Sequence, residues 1–277
     1  MAKAVAVLQT SRGAGNHDDE GERTGENRLI SALHEVVSPD LAIAAGANNG
    51  SWTREVRARC PLLPVVSVEP GTQASETLRA RTSDDSRVLV IQAALGAEAG
   101  RVTLFGTDQS GLQASLRPNL LQRTTYRDPE REMPAETVEM VTPHMLVHLA
   151  REAGLILEGS SRWIVKIDTE GYEIDIIQAL MNSDLGPSLA AVQFEFHLHA
   201  LAQGHTIDDF QDVLGSSYSL FRLAPRSLIA LRDMESSEAN YFGFSNWIAV
   251  GSEFGDALVT AYRRADPTMR RRREWRN

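Results

Sequence analysis

Short apolar runs alternate with amphipathic segments along the first two thirds of the chain. Between residues 29 and 37, apolar side chains recur at helical spacing, which predicts a first helix. Two later segments, 51–59 and 72–82, are long enough for crossover helices between parallel strands. Continuous apolar runs of the kind found in strands buried on both faces lie at 41–45, 65–69, 88–91 and 163–167. The pattern predicts a βαβαβ unit with a parallel sheet.

After one interruption, the alternation of apolar runs and helical segments continues along the rest of the chain. Residues 100–141 interrupt this alternation, and we interpret them as an antiparallel insertion or a cap over the edge of the sheet. We expect residues 104–136 to determine which acceptor substrate is selected. Helices are expected at 144–154 and 172–181, and further strands at 190–196, 218–223, 227–231 and 247–250. We expect a flexible lead at 1–27, one folded domain at 28–255, and a helix with a basic tail at 256–277.

Composition and charge narrow the class of protein. Of 277 residues, 42% are hydrophobic and 23% are charged, values typical of globular proteins. The formal net charge of −9 argues against binding to nucleic acid or to an anionic membrane surface. A single cysteine, Cys60, can form neither an internal disulfide nor a cysteine zinc site, so a cytoplasmic location is expected.

The first candidate site is the turn after the strand at 41–45. Its sequence, Gly46-Ala47-Asn48-Asn49-Gly50, opens a helix. Glycine lets a backbone approach a ligand closely, and a helix N-terminus presents unpaired N–H groups. The spacing fits neither the dinucleotide fingerprint nor a phosphate loop, so nicotinamide and ATP binding are disfavoured. Taken alone, the motif is equally consistent with a tight strand-to-helix turn.

An acidic residue, Glu69, ends the next strand. It follows the glycine turn by about 20 residues, the separation at which a nucleotide-binding sheet places the carboxylate that binds ribose hydroxyls. A solvated turn residue is the alternative for a lone strand-end glutamate. Combined with Gly46 and Gly50, however, Glu69 indicates an adenosine-binding edge.

Three carboxylates crowd the junction after the strand at 163–167. Residues 166–173 read KIDTEGYE, with Asp168, Glu170 and Glu173 around a glycine. Because the carboxyl ends of parallel strands meet at one edge, Asp168 and Glu170 should face the same crevice as the glycine turn. We interpret Glu173 as a helix-start residue favoured by the backbone dipole.

Together these motifs resemble the FkbM-type methyltransferases. The resemblance rests on KIDTEGYE, GANNG, VEP at 68–70, QAALGAEAG at 92–100 and QFEFH at 193–197, and it spans residues 39–250. It implies the class I methyltransferase fold, a Rossmann-like α/β architecture with a mostly parallel seven-stranded sheet and helices on both faces. It also implies S-adenosylmethionine (SAM) as cofactor and a hydroxyl group of a small molecule, either a sugar or another secondary metabolite, as acceptor.

The resemblance also assigns roles by position. The cofactor would be lined by Gly46, Asn48 and Gly50 at its methionine and ribose end, by Glu69 at the ribose hydroxyls, and by Ala93 and Ala94 near the adenine. Asp168 and Glu170 would border the methyl group and the acceptor.

Methyl transfer also needs a group that removes the acceptor proton. Asp168 is the first candidate and His197 the second, because the strand at 190–196 leads into His197 and alternation turns it to the side of Glu195. The side chains of Asp168, Glu170, Glu195 and His197 are also the types that bind a divalent metal, but no compact spacing supports one, and no metal is expected.

Two positions depart from the family pattern. Ala44 stands where an acidic residue usually precedes the glycine turn, and His144 stands where the family has a second acid. The first loss removes a charge-assisted hydrogen bond to the methionine amino group, worth about 1.5–3 kcal/mol. Two alternatives therefore stay open: an enzyme that no longer uses SAM and catalyses proton abstraction or intramolecular displacement, and a non-catalytic subunit of a biosynthetic partner. The expected assembly is a homodimer or a complex with such a partner.

Overall fold

A computed structural model describes residues 24–107, 114–124, 132–156, 159, 161–241 and 243–265. Most of the expected N-terminal lead and the whole basic tail at 269–277 lie outside the described residues. The chain forms two compact units: one is Asp40–Leu189, and the other combines Met1–Pro39 with Ala190–Asn277.

In chain order, the helices and strands are α1 Glu26–Val37, β1 Leu41–Ala45, α2 Ser51–Arg59, β2 Val65–Val68, α3 Thr72–Thr82, β3 Val88–Ile91, β4 Ala94–Leu95, β5 Gly100–Phe105, α4 Pro118–Thr124, β6 Ala135–Val141, α5 Pro143–Glu152, β7 Trp163–Ile167, α6 Glu173–Met181, β8 Leu189–Phe196, α7 Leu198–Ala202, α8 Ile207–Leu214, β9 Tyr218–Ala224, β10 Ser227–Ala230, α9 Ser236–Ala239, β11 Ser245–Gly251 and α10 Gly255–Arg264.

The unit Asp40–Leu189 is built on four parallel strands in the order β7-β1-β2-β3. All five residues of β1 are buried, as expected of a strand with neighbours on both sides and helices on its faces. In register, Ala45 lies opposite Val68 of β2 and Ile167 of β7. The residues that follow these strands therefore emerge together at one edge of the sheet.

A small second sheet interrupts this unit, as the sequence predicts. Strand β6 pairs antiparallel with β5 and parallel with β4. One side of this small sheet is apolar, and there Leu104, Val138 and Met140 are buried and pack against the partly buried ring of Tyr172. This small sheet therefore packs on the segment that carries the KIDTEGYE motif.

The other unit contains antiparallel strands. Strand β8 begins at the boundary between the units and pairs antiparallel with β11, which in turn pairs with β9, and β9 pairs with β10. The α/β class is confirmed, but strand directions are mixed rather than purely parallel: among the described residues, β7, β1, β2 and β3 pair in parallel, whereas β8, β11, β9 and β10 pair antiparallel. Helices α1 and α10 belong to the same unit, where the hydroxyl of Tyr262 donates to the carbonyl of Ala224 at 2.7 Å.

Two observations bear on the expectations from composition. Cys60 is only 2% exposed, and burial raises the pKa of its thiol, so it fills space rather than offering a reactive thiolate. Among the described residues, no helix combines the length and apolar character that crossing a bilayer requires.

Candidate active site

Main-chain hydrogen bonds join the three strand ends that carry the sequence-predicted acids and glycines. The N–H groups of Gly46 and Ala47 donate to the carbonyl of Val68 at 3.0 and 3.1 Å, and the N–H of Asp168 donates to the carbonyl of Ala45 at 2.9 Å. The glycine turn (residues 46–50), Glu69 and Asp168 thus meet at one sheet edge, which we call the acidic edge.

Left-handed backbone and close contacts within the protein explain the glycines of this turn. Gly46 and Gly50 have φ angles of +75° and +82°, and an added Cβ would lie 1.8 Å from the carbonyl oxygen of Asp168 and 2.4 Å from Leu78 Cδ1, respectively. Asn48 also has positive φ, at 46°. The sequence left open whether these glycines serve ligand approach or a tight turn, and the structure shows a requirement of the turn itself that is strongest at Gly46, where an added Cβ meets main-chain atoms.

Glu69 anchors the glycine turn. Its side chain is 7% exposed, with Oε2 accepting the Asn48 N–H at 2.7 Å and Oε1 accepting the Gly71 N–H at 2.8 Å. Burial raises the pKa of this carboxyl, and the carboxylates of Asp168 and Glu136 raise it further, whereas the two hydrogen bonds oppose the shift. A carboxylate oxygen can accept a second hydrogen bond, so the geometry retains acceptor capacity for hydroxyl groups.

Asp168 is more accessible than Glu69, the other carboxylate of the acidic edge. Its side chain is 36% exposed, and Oδ2 lies 3.2 Å from Nζ of Lys166, two residues earlier on β7. Ala44 lies opposite Lys166 in the register of β1 and β7. It packs in an apolar cluster with Ala47 and Leu78.

Glu173 organises the turn that follows Asp168. It is 3% exposed, with Oε1 accepting the Thr169 N–H at 2.9 Å and Oε2 accepting the Gly171 N–H at 3.0 Å. Burial raises its pKa to about 7, against the opposing hydrogen bonds, and the carboxylate of Glu170 adds to the rise. The predicted position at a helix start is correct, but the side chain reaches back into the turn, which the dipole interpretation missed.

The two alanines predicted near the adenine precede and begin β4. Ala93 and Ala94 are 2% and 5% exposed, and the Ala93 N–H donates to the carbonyl of Ile91 at 3.1 Å. With side chains this buried, they can shape a binding surface only through their backbone and small size.

His197 lies in the other unit, directly after β8. It is 2% exposed, and burial lowers the pKa of its imidazole to about 3, with His199 adding to the fall. Its ring stacks on Phe244 at a centroid distance of 4.8 Å. A neutral imidazole of such low basicity is a poor proton acceptor near pH 7, and its proximity to Asp168 stays a prediction.

Comparison with known proteins decides the family. Residues 45–218 match the Methyltransferase FkbM domain. The chain belongs to this family. The predicted resemblance is confirmed, and with it the expected activity and cofactor at the level of the family, namely methyl transfer from SAM.

Solved methyltransferases resemble this FkbM-family chain only remotely. An O-methyltransferase from Bacillus cereus in complex with SAH is 12% identical, with a TM-score of 0.41, and 91% of this chain and 90% of that chain are covered. The plantazolicin methyltransferase BpumL, in complex with a triazolic desmethylPZN analog and SAH, is 8% identical with a TM-score of 0.44, and 90% of each chain is covered. The 23S rRNA methyltransferase ErmE is 12% identical with a TM-score of 0.41, with coverage of 82% of this chain and 67% of that chain. A search among curated proteins finds no match.

The second departure from the FkbM-family pattern, His144, lies on the first turn of α5. Its side chain is 74% exposed, and Nδ1 lies 3.9 Å from Oδ1 of Asp184. It borders an open cavity of about 460 Å³ that Tyr172 and Asp175 also line. The histidine therefore faces solvent rather than filling a buried carboxylate position.

Proposed function

We propose that the chain transfers the methyl group of SAM to a hydroxyl group of a small secondary metabolite or sugar intermediate. The observation that supports this most directly is the acidic edge, where the glycine turn, the anchored Glu69 and the accessible Asp168 share three joined strand ends. The carboxyl ends of parallel strands are where open α/β sheets bind ligands.

The residues present fit the cofactor in charge and hydrogen-bonding capacity. Glu69 has accepting capacity for the ribose hydroxyls, and the turn whose backbone it fixes at Asn48 would line the methionine and ribose end. The buried backbone at Ala93 and Ala94 would lie near the adenine. When bound, SAM supplies a methyl group on a cationic sulfonium. The carboxylates of Asp168 and Glu136 are close enough to Glu69 to raise its pKa, and together the three acids favour a cationic ligand.

Asp168 is the group that would accept the proton of the acceptor hydroxyl. Its carboxylate is partly exposed, and the ammonium of Lys166 holds Oδ2 at 3.2 Å, which restricts its orientation. A carboxylate in this position can accept a hydrogen bond from a neutral alcohol and align its oxygen for displacement. An acidic edge in a chain of net charge −9 favours neutral or cationic acceptors over phosphorylated ones.

The test is SAM-dependent labelling of a hydroxyl-rich acceptor panel by the purified chain. Isotope from the methyl group of SAM should appear in a neutral sugar or secondary-metabolite alcohol, and Asp168→Asn should lower turnover at least about 100-fold, with little change in melting temperature. Arg101→Gln, an exposed change on β5, is the matched control. Labelling confined to nitrogen or carbon acceptors, or full activity of Asp168→Asn, would overturn the proposal.

A second candidate, an FkbM-fold enzyme that no longer uses SAM, is favoured by Ala44. The side chain at position 44 is only a methyl group and is 2% exposed, whereas the family pattern has a carboxylate there. Ala44→Asp should tighten SAH binding about tenfold if only the missing acid limits it, as expected for one charge-assisted hydrogen bond. Ala44→Asn is the control. If neither the wild type nor Ala44→Asp binds SAH at millimolar concentration, this second candidate is favoured. Turnover by the purified chain alone would exclude the remaining alternative, a non-catalytic subunit of a biosynthetic partner.

A further inference from the structure

Two residues that the sequence did not single out, Ser115 and Arg117, contact the turn that carries the candidate carboxylates. We call residues 168–171 the carboxylate turn. We propose that Ser115 and Arg117 are positioning residues that hold the carboxylate turn in the geometry required at the methyl group. This inference rests on the proposed function, because Ser115 and Arg117 would affect methyl transfer only through Asp168 and Glu170.

Ser115 binds the turn at the carbonyl of Glu170. Its side chain is fully buried, and its Oγ donates to the Glu170 carbonyl at 2.8 Å while accepting the N–H of Arg117 at 3.1 Å. Two main-chain hydrogen bonds with Phe105, of 2.9 and 3.0 Å, fix Ser115 to the end of β5. The hydroxyl therefore reaches the turn from a residue that is paired with the small sheet.

Arg117 binds the next carbonyl along the turn. Its Nε donates to the carbonyl of Gly171 at 3.1 Å, and its Nη2 donates to Oδ2 of Asp175 at 2.6 Å. The guanidinium also lies over the ring of Tyr172, 5.1 Å from its centroid. A planar guanidinium can make all three contacts at once, which a lysine cannot reproduce.

The carboxylate turn needs such support because its backbone is strained. Glu170 has a φ of 55°, a left-handed conformation that costs a residue with a side chain about 1–2 kcal/mol. Strained conformations persist where their surroundings over-determine them. Here Glu173 binds the turn's N–H groups, Gly46 touches the Asp168 carbonyl, and Ser115 with Arg117 binds the next carbonyls.

The simpler interpretation of Arg117 is an ordinary surface ion pair. The side chains of Arg117 and Asp175 are 35% and 31% exposed, and exposed pairs contribute about 0–1 kcal/mol to folding. That interpretation explains neither the bond from Nε to a main-chain carbonyl nor the buried hydroxyl beside it. The contacts converge on two consecutive carbonyls of the strained turn, so a change here should alter the placement of the carboxylates.

The test compares two ligands that differ at the methyl position. SAH carries no methyl group, whereas sinefungin carries a protonated amine in place of the methylsulfonium. If Asp168 and Glu170 border that position, the wild type should bind sinefungin about tenfold more tightly than SAH, as one charge-assisted hydrogen bond predicts. Ser115→Ala and Arg117→Lys should reduce this preference to about threefold or less, with SAH affinity changed by less than about threefold. A lower global stability alone would weaken both ligands equally.

Controls separate this inference from the proposed function. Asp168→Asn should remove the preference, and Arg101→Gln should preserve it. Loss of the preference in Asp168→Asn but not in the Ser115 and Arg117 variants would overturn the positioning role alone. A wild type that binds neither ligand, or binds both equally, would overturn the proposed site. Arg117→Lys keeps a cation near Asp175 and tests the proposal even if Ser115→Ala does not fold.

Discussion

The α-carbon of Gly46 lies so close to the main-chain carbonyl of Asp168 that a Cβ at Gly46 would be 1.8 Å from that oxygen. The glycine turn after β1 and the carboxylate turn after β7 are therefore in direct contact. A displacement of either turn would be transmitted to the other, so the proposed cofactor edge and the proposed base act as one structure.

This contact predicts that Gly46→Ala will be far more damaging than an ordinary glycine substitution. Alanine there must adopt a φ of +75° and also move the Asp168 carbonyl. Gly154→Ala is the matched control, because Gly154 has a φ of +72° but nothing within 4 Å of an added Cβ. Urea unfolding should show a loss of about 1 kcal/mol for Gly154→Ala, and a larger loss for Gly46→Ala. Equal losses would show that the contact with Asp168 carries no cost.

Glu69→Ala should weaken both the turn and the binding of ribose. The substitution leaves the half-buried N–H groups of Asn48 and Gly71 without their acceptor, so the turn should lose stability. The ribose contact can be measured separately by calorimetry with SAH and its 2′-deoxy analogue. The wild type should prefer SAH, and Glu69→Ala should bind both weakly and equally. An unchanged preference would contradict the ribose role, and Glu139→Ala, an exposed change on β6, controls for loss of charge.

The buried carboxyl of Glu173 should make folding stability depend on pH. Burial raises its pKa from the ordinary value of 4.5 to about 7 on folding, so between these values the folded chain binds more protons than the unfolded chain. The contribution of Glu173 to stability should therefore be fully present below pH 4.5 and be lost as pH rises through 7, by up to about 3 kcal/mol. In Glu173→Gln this slope should be absent. If the free energies of unfolding of the wild type and Glu173→Gln change in parallel between pH 5 and 8, to within about 0.5 kcal/mol, the raised pKa of Glu173 is contradicted.

His197 should remain neutral across the range in which histidines ordinarily titrate. Burial lowers its pKa to about 3, so the unfolded chain binds the additional proton below the ordinary value of 6.5. Its contribution to stability is thus present above pH 6.5 and lost as pH falls towards 3, the opposite direction to that of Glu173. NMR should show an imidazole resonance from His197 that does not shift between pH 8 and 5. A midpoint near 6.5 would restore His197 as a candidate base.

Local patterns were sufficient to predict the parallel unit. Strands β1, β3 and β7 and helices α2 and α3 begin and end at the predicted residues, because continuous apolar runs are bounded by glycine, proline and charged segments. The same rule that strand ends share an edge predicted that Gly46, Glu69 and Asp168 would lie together. Strand direction in the other unit was not predictable, because an apolar run of given length serves a parallel or an antiparallel partner equally well.

Contacts across long sequence separations could not be predicted. Ser115 reaches Glu170 across 55 residues, and no local signal in the SGLQASL segment specifies this partner. Glu173 was misjudged for a related reason, because its side chain turns back to Thr169 and Gly171. The close approach of Leu78 to Gly50 was likewise not predictable. Each of these depends on three-dimensional packing that a pattern of residue types does not encode.

The most direct test is a calorimetric titration of the purified wild-type chain with SAH. We expect binding at one site per chain with a dissociation constant in the micromolar range, a binding free energy of about −8 kcal/mol. Absence of binding at millimolar SAH, from a chain shown to be folded by its cooperative unfolding, would contradict the assignment of the acidic edge to a SAM-type cofactor.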